Sequence, residues 1–106
     1  MSEKEELISQ PLLEEAARRF SLLSEPVRLS ILNQLHVHGE MNVQALVENT
    51  GHGQANVSKH LQLLAGEGMV SRRKEGLYVY YKISDPTLSA ICMLVCGRLR
   101  DEQRKR

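Results

Sequence analysis

Apolar residues recur at helical spacing through most of this 106-residue chain. Residues from about 6 to 23 place their apolar side chains along one face of a first helix. A break at Ser24-Glu25-Pro26 follows, and a capping side chain before a proline predicts a second helix, which fades at residues 36–39. The apolar positions are Leu12, Leu13, Ala16, Ala17, Phe20 and Leu23 in the first helix and Val27, Leu29, Ile31, Leu32 and Leu35 in the second.

Two short amphipathic stretches between Asn42 and Leu64 have the layout of a helix-turn-helix. They are separated by Thr50-Gly51-His52-Gly53, a turn too small to let them continue as one helix. Asn42 can cap the first stretch, and the second ends at Gly66 or Gly68. We therefore place the helix-turn-helix at residues 43–66. The expected buried positions are Val43, Leu46 and Val47, then Val57, Leu61, Leu63 and Leu64.

The period changes from helical to alternating over residues 69–83, which predicts a β-hairpin turning at Glu75-Gly76. Alternation places Leu77, Val79, Tyr81 and Ile83 on one face of the second strand. A basic hairpin that directly follows a helix-turn-helix is a wing. A last helix then begins at Asp85-Pro86 and extends over residues 86–102, so the expected fold is mainly α with a hairpin wing, in the order α-α-α-α-β-β-α.

Length and composition agree with one winged helix-turn-helix domain over residues 1–106. The chain is 42% hydrophobic and 25% charged, which is ordinary for a soluble globular protein. No apolar run approaches the length of a membrane span, and the first six residues are too acidic for a signal peptide. We expect a cytoplasmic protein with no membrane partner. The two cysteines, four residues apart, do not suggest a disulfide framework.

The net charge of +1 conceals a segregation of charge along the chain. Residues 53–82 carry five basic and two acidic side chains, whereas residues 1–20 carry five glutamates and three basic residues. A basic half that includes the helix-turn-helix suits contact with DNA phosphates. Solvated surfaces often segregate this much by chance, so charge alone does not decide the function.

Small and polar side chains open the second helix of the motif, as a helix requires if its first turns enter the major groove of DNA. Asn and Gln can each bond two edge atoms of adenine, and the wing can follow the adjacent minor groove or backbone. Two alternatives to DNA contact stay open. Ser58 or His60 could form its hydrogen bond within the protein, and the wing cations could be exposed to solvent without contacting DNA. The candidate DNA contacts are Gln54, Ala55, Asn56, Ser58, Lys59 and His60 on the helix and Arg72, Arg73 and Lys74 on the wing.

Three segments in the same order resemble the ArsR/SmtB family of small homodimeric transcriptional repressors. They are FSLLSEPVRLSIL at residues 20–32, QANVSKHL at residues 54–61 and GLYVYY at residues 76–81. The resemblance covers nearly the whole chain and implies a winged helix-turn-helix repressor. One departure is Gly53, which stands where the family has a serine. This position directly precedes the second helix of the motif, the recognition helix.

Pairing of two chains follows from the size of the expected DNA contact. One recognition helix contacts only a few base pairs, so such proteins pair to address two half-sites of a pseudo-palindromic operator. The expected dimer interface, which we call the dimer seam, is formed by the helices over residues 6–23 and 86–102. From Leu88 to Cys96 nearly every residue is apolar, more than a helix packed on one side needs.

The resemblance also implies two metal-site patterns, and this chain breaks both. The pattern on the third helix needs two thiols, but Asn42-Val43-Gln44 stands there. The pattern on the last helix needs Asp and His residues, and this chain keeps Asp85 alone, with Thr87, Arg98 and Asp101 in the other places. Neither standard family metal site is therefore expected.

Cys92 and Cys96, at i and i+4 of the last helix, form the remaining candidate effector site. In a dimer four thiols could bind a soft metal or arsenite, or react with sulfur or oxygen species. The alternative is that both are small buried hydrophobic residues. Other hypotheses are a constitutive DNA-binding regulator and a winged-helix module that binds protein. No catalytic triad or phosphate-binding loop points to an enzyme.

Overall fold

The computed structural model describes residues 8–105 and contains five helices and three strands. The predicted order of helices and hairpin is confirmed. The first two predicted residues of the first helix, 6 and 7, lie outside the described residues. The elements are α1 (Gln10–Ser21), α2 (Pro26–His38), β1 (Glu40–Asn42), α3 (Val43–Thr50), α4 (Gln54–Gly66), β2 (Val70–Glu75), β3 (Tyr78–Ile83) and α5 (Pro86–Arg104).

Local chemistry explains where the helices begin and end. The side chain of Asn42 accepts a hydrogen bond from the backbone N–H of Ala45 at 2.8 Å, which caps α3 as expected. Gly51 ends that helix with φ of 78°, a left-handed conformation that glycine adopts without strain. Asp85 caps α5 by accepting from the N–H of Thr87 at 3.0 Å.

The three strands form an antiparallel sheet in the order β1-β3-β2. Strand β1 was not predicted, because three residues are too few to display an alternating pattern. Its pairing of Met41 with Tyr81 joins the wing to the end of α2. The hairpin turns at Gly76-Leu77 rather than at Glu75-Gly76, since Glu75 still pairs with Tyr78. Leu77 therefore lies at the tip of the wing, 96% exposed, and not on the inner strand face.

The hydrophobic core lies between α2, α3, α4 and the inner face of the sheet. Ile31, Leu46, Leu61 and Leu64 are fully buried there, and each such side chain stabilises the fold by about 1.5–3 kcal/mol. Leu63 was expected to be buried but is 43% exposed, because it points away from the face of α4 that contacts α2 and α3. Within residues 8–105, no helix is both long and apolar enough to cross a lipid bilayer.

Candidate nucleic-acid interface

The first turns of α4 present their polar side chains to solvent. Gln54, Ala55, Asn56 and Lys59 are exposed and Ser58 is half-buried. The helix is anchored from its other face by Val57 and Leu61, which are fully buried. This division leaves the N-terminal half of α4 free to enter a groove of DNA while its inner face stays packed.

The turn before α4 fixes where that helix begins. The hydroxyl of Thr50 donates to the carbonyl of Leu46 at 2.6 Å and accepts from the backbone N–H of His52 at 3.3 Å. Gly53 occupies the N-cap position and has no side chain to bond the first N–H groups of the helix. These groups therefore remain available to solvent or to a bound anion.

His60 is the one recognition-helix candidate that does not face outward, and its expected role as a DNA contact is corrected. It is 8% exposed. Its Nδ1 lies 3.4 Å from Nη1 of Arg28, and its Nε2 lies 3.6 Å from Oε2 of Glu25. Both partners precede it by more than 30 residues, so no local pattern could have predicted the contact. Of the two residues considered for an internal role, His60 rather than Ser58 takes it.

The wing divides its three cations between two faces of the hairpin. Arg72 pairs across the sheet with Tyr81 and Lys74 with Val79, so these two point to one face, and both are exposed. Arg73 pairs with Tyr80 and points to the other face, where its guanidinium lies 4.7 Å from the centre of the Tyr80 ring. Of the three wing cations, only Arg72 and Lys74 therefore lie on the same face of the hairpin.

Arg73 is engaged by two carboxylates of its own chain. Its Nε and Nη2 donate to both oxygens of Glu40 at 2.9 Å, and its Nη1 donates to Glu75 at 2.6 Å. These hydrogen bonds raise the pKa of Arg73 and, with the charge of Arg73, hold the pKa of Glu40 below its ordinary value. Glu40, on the unpredicted strand β1, is a residue that the sequence analysis missed.

Helices α1 and α5 carry an apolar surface that the described chain leaves uncovered. Leu94 is 74% exposed, and its neighbours on α5 and several residues of α1 are also open to solvent. Exposed patches of this kind mark interaction surfaces in soluble proteins. We call this set the α1/α5 surface; its members are Leu12, Leu13, Phe20, Met93, Leu94, Val95 and Leu99.

The two cysteines lie beside a cavity between α5 and α2, next to Met93 of the α1/α5 surface. The sulfur atoms of Cys92 and Cys96 are 4.0 Å apart, Cys92 half-buried and Cys96 exposed. Burial, with the neighbouring Cys96, raises the pKa of the Cys92 thiol. The cavity, of about 190 Å³, is also lined by His36 of α2 and Arg100 of α5. Among residues 8–105 no three His, Cys, Asp or Glu side chains cluster as metal ligands.

A helix-turn-helix with an exposed polar second helix, followed by a basic hairpin, defines a winged helix-turn-helix protein of the DNA-binding class. Residues 25–72 match the model of a family of bacterial regulatory proteins, the arsR family. The chain belongs to this family, and it is a transcriptional repressor with a winged-helix DNA-binding fold. It is thus a regulator and not an enzyme, in agreement with the sequence analysis.

Two curated relatives support the assignment. The transcriptional repressor PagR of Bacillus anthracis is 32% identical over 83 residues, which cover 78% of this chain and 83% of the relative. The arsenical resistance operon repressor of Escherichia coli is 31% identical over 86 residues, covering 81% of this chain and 74% of the relative. Both are regulators of transcription by name.

Among solved structures, a homodimeric winged helix-turn-helix DNA-binding domain from Mycobacterium bovis matches with a TM-score of 0.78. It is 28% identical, and the match covers 99% of this chain and 96% of that domain. The predicted fold class is confirmed by this likeness and by the observed order of elements.

Proposed function

We propose that this repressor acts in the cytoplasm as a homodimer that binds a pseudo-palindromic DNA operator and thereby blocks transcription. The observation that carries the proposal is the orientation of α4. Its polar residues at positions 54–56 and 58–59 lie outside, while Val57 and Leu61 hold the helix to the core. Two such helices, presented by two subunits, would each enter the major groove of one half-site.

The contacts on each half-site follow from side-chain chemistry. Gln54 and Asn56 can each form two hydrogen bonds with the major-groove edge of adenine, and Ser58 can bond either a base or a phosphate. Lys59, which is exposed on the same helix, would neutralise a phosphate. Ala55 lies between the two amides and lets the helix approach closely, with its methyl group available to a thymine methyl.

On the wing we assign the phosphate contacts to Arg72 and Lys74. They lie on the same face of the hairpin and are exposed. Arg73, the third predicted wing contact, would have to exchange Glu40 and Glu75 for a phosphate, which makes its net contribution to DNA binding smaller. The wing would then lie along the backbone or minor groove beside the recognition helix.

A second copy of this chain is the proposed occupant of the α1/α5 surface. The apolar residues on both helices would be covered if the same surfaces of two subunits met about a two-fold axis. The Mycobacterium bovis domain with the same fold is homodimeric. Pairing also doubles the number of base contacts, since one recognition helix contacts only a few base pairs.

Operator binding can be tested with a duplex that the chain itself selects from a random-sequence pool. We expect affinity to fall steeply with salt, by a slope of about 0.9 for each phosphate neutralised. Asn56→Ala should cost about 1–3 kcal/mol on the selected duplex and little on unrelated DNA, whereas Lys59→Ala should weaken both. If no duplex is enriched, or if binding is insensitive to salt, the proposed function is wrong.

The thiol pair supports a second proposal, that a thiol-reactive effector releases the repressor from DNA. The 4.0 Å between the sulfur atoms fits two ligands of one soft ion, because thiolates about 2.3 Å from a metal can lie at most about 4.6 Å apart. Effectors that can bind or react with such a thiol pair are arsenite, a soft metal, and reactive sulfur or oxygen species. Release requires that the bound effector prefer the dimer geometry in which the recognition helices are misaligned.

Operator affinity under arsenite, cadmium, peroxide and polysulfide tests this second proposal. We expect each effective agent to weaken binding by wild type and to leave a Cys92→Ser/Cys96→Ser double variant unaffected. The two single variants show whether both sulfurs are needed, as chelation requires. Equal responses in wild type and the double variant would show that the thiol pair is not the effector site, and the absence of any response in both would favour a constitutive regulator.

A further inference from the structure

Arg28, near the start of α2, bonds two other helices at once. Its Nε donates to the carbonyl of Leu22 at 2.9 Å and its Nη2 donates to the carbonyl of Ser21 at 3.2 Å, both at the end of α1. Its Nη1 lies 3.4 Å from Nδ1 of His60 in the middle of α4. One guanidinium therefore joins the end of α1 to the recognition helix.

The two ring nitrogens of His60 meet groups of opposite charge. A guanidinium can only donate, so the nitrogen facing Arg28, Nδ1, is the acceptor of the neutral ring. The proton then sits on Nε2, which faces the carboxylate of Glu25 at 3.6 Å. Glu25 also accepts from the backbone N–H of Arg28 at 3.0 Å and thereby caps α2. The imidazole thus bonds Arg28 on one side and faces the carboxylate of Glu25 on the other.

Glu25 remains ionised in this arrangement. Burial alone would raise the pKa of its carboxyl group, but hydrogen bonds from the backbone N–H groups of Arg28 and Val27, together with the charge of Arg28, hold that pKa below its ordinary value. Arg28 and Glu25 therefore present a permanent cation and a permanent anion to the two sides of one ring. A side chain with fixed partners at both ends has little freedom to turn.

We propose that Arg28 is a positioning residue that sets the angle of the recognition helix relative to the dimer seam, acting through His60. The inference rests on the proposed function, in which α1 contributes to the seam and α4 contacts the bases. Two recognition helices address half-sites at a fixed separation only if each is held firmly relative to the shared seam. The Arg28 bridge is a direct polar connection between those two parts of one subunit.

A series of duplexes that differ only in the spacer between half-sites tests this role. Two added base pairs rotate one half-site by roughly 70° about the DNA axis, since one turn takes about 10–10.5 base pairs. We expect wild type to lose more than about tenfold in affinity on that duplex, relative to the selected one, because the contacts of one half-site no longer align. Arg28→Lys keeps the positive charge but cannot bond Ser21, Leu22 and His60 at the same time. On the longer duplex we therefore expect this variant to lose less than about threefold in affinity relative to the selected one.

A matched pair at His60 separates hydrogen bonding from packing. Asn and Leu have nearly the same shape, but only the amide oxygen of His60→Asn can accept from Arg28 near the former position of Nδ1. We expect His60→Asn to retain the spacer preference and His60→Leu to lose it, at comparable melting temperatures. Both variants leave a similar space, so a purely structural role for His60 would affect them equally.

The outcomes distinguish this inference from the function on which it rests. If wild type shows no spacer preference or binds no selected duplex, the dimeric repressor proposal is wrong. A second outcome is that wild type discriminates between spacers and that both Arg28→Lys and His60→Leu do so equally strongly. In that case the positioning role is wrong, while the proposed function stands. Should Arg28→Lys fail to fold, the comparison of His60→Asn with His60→Leu decides the question alone.

Discussion

Arg73 and Glu40 form a two-point ion pair across the sheet, with both nitrogen–oxygen distances at 2.9 Å. The pair joins the wing to β1, the strand that directly follows α2 and leads into α3. Arginine and a carboxylate in this geometry are stronger partners than a single-point surface pair. The arginine is 49% exposed, so solvent still screens the interaction. The pair orients the wing more than it stabilises the fold.

The first prediction concerns the pH dependence of stability. The pKa of Glu40 in the folded chain lies below its ordinary value of 4.5, mainly because Arg73 donates hydrogen bonds to the ionised carboxylate. The unfolded chain therefore binds this proton at higher pH than the folded chain does. The contribution of Glu40 is fully present above pH 4.5 and is lost as the pH falls through the folded-state value.

Urea unfolding across the acidic range measures this effect. The free energy of unfolding of wild type should fall more steeply with decreasing pH than that of Glu40→Gln. Arg73→Gln should flatten the dependence in the same way, because it removes the partner. Parallel curves for all three proteins would show that the pair does not contribute.

The second prediction separates the wing cations by their effect on DNA binding. Removing an exposed cation that contacts phosphate should lower the salt slope by about 1, so we expect this of Arg72→Ala and of Lys74→Ala. Arg73→Ala should lower the slope by less than half as much, because its charge is already balanced by Glu40 and Glu75. Fluorescence anisotropy with a labelled duplex at several salt concentrations provides the slopes. A larger effect for Arg73→Ala than for the other two would contradict the assignment.

The third prediction tests the α1/α5 surface with two leucines that are both largely exposed in the single chain. Leu94, on α5, is 74% exposed, and Leu77, at the tip of the wing, is 96% exposed. A glutamate at position 94 would be buried without a partner in the dimer, so Leu94→Glu should weaken self-association at least about hundredfold. Leu77→Glu should sediment like wild type.

Sedimentation equilibrium gives the dimer dissociation constants, and circular dichroism checks that both variants keep their helices. Dimers of unchanged affinity for Leu94→Glu would exclude this surface as the seam. A monomer for Leu77→Glu together with a dimer for Leu94→Glu would place the seam at the wing.

The fourth prediction concerns the two glycines that flank the turn of the motif. Gly53 has an ordinary extended conformation, and a β-carbon there would meet no atom within 4 Å. Gly53→Ser therefore adds a helix cap and should stabilise the chain by a few tenths of a kcal/mol. Gly51 has φ of 78°, so Gly51→Ala should destabilise it by about 1 kcal/mol or more. Urea midpoints of the two variants should shift in opposite directions.

Much of the fold could be predicted because its signals are local. The proline after Glu25, the glycine after Thr50 and the cap at Asn42 each mark a helix end within a few residues. The change to alternating periodicity after Gly68 marks the hairpin. Strand β1 gave no such signal, since its three residues are defined only by pairing with β3.

The parts of the site that could not be predicted depend on contacts between distant residues. His60 and Arg28 are 32 positions apart, and Arg73 and Glu40 are 33 positions apart. In the sequence each basic residue looks like any other candidate for a phosphate contact. Only the packing of α4 against α2, and of β1 against β3, determines which of them are engaged within the chain.

Hydroxyl-radical footprinting on the selected duplex shows whether two outward-facing recognition helices contact DNA together. We expect two protected segments centred about one helical turn apart, roughly 10–10.5 base pairs, on the same face of the duplex. A single protected segment, or uniform protection without a repeat, would mean that the two helices do not bind the operator as a pair.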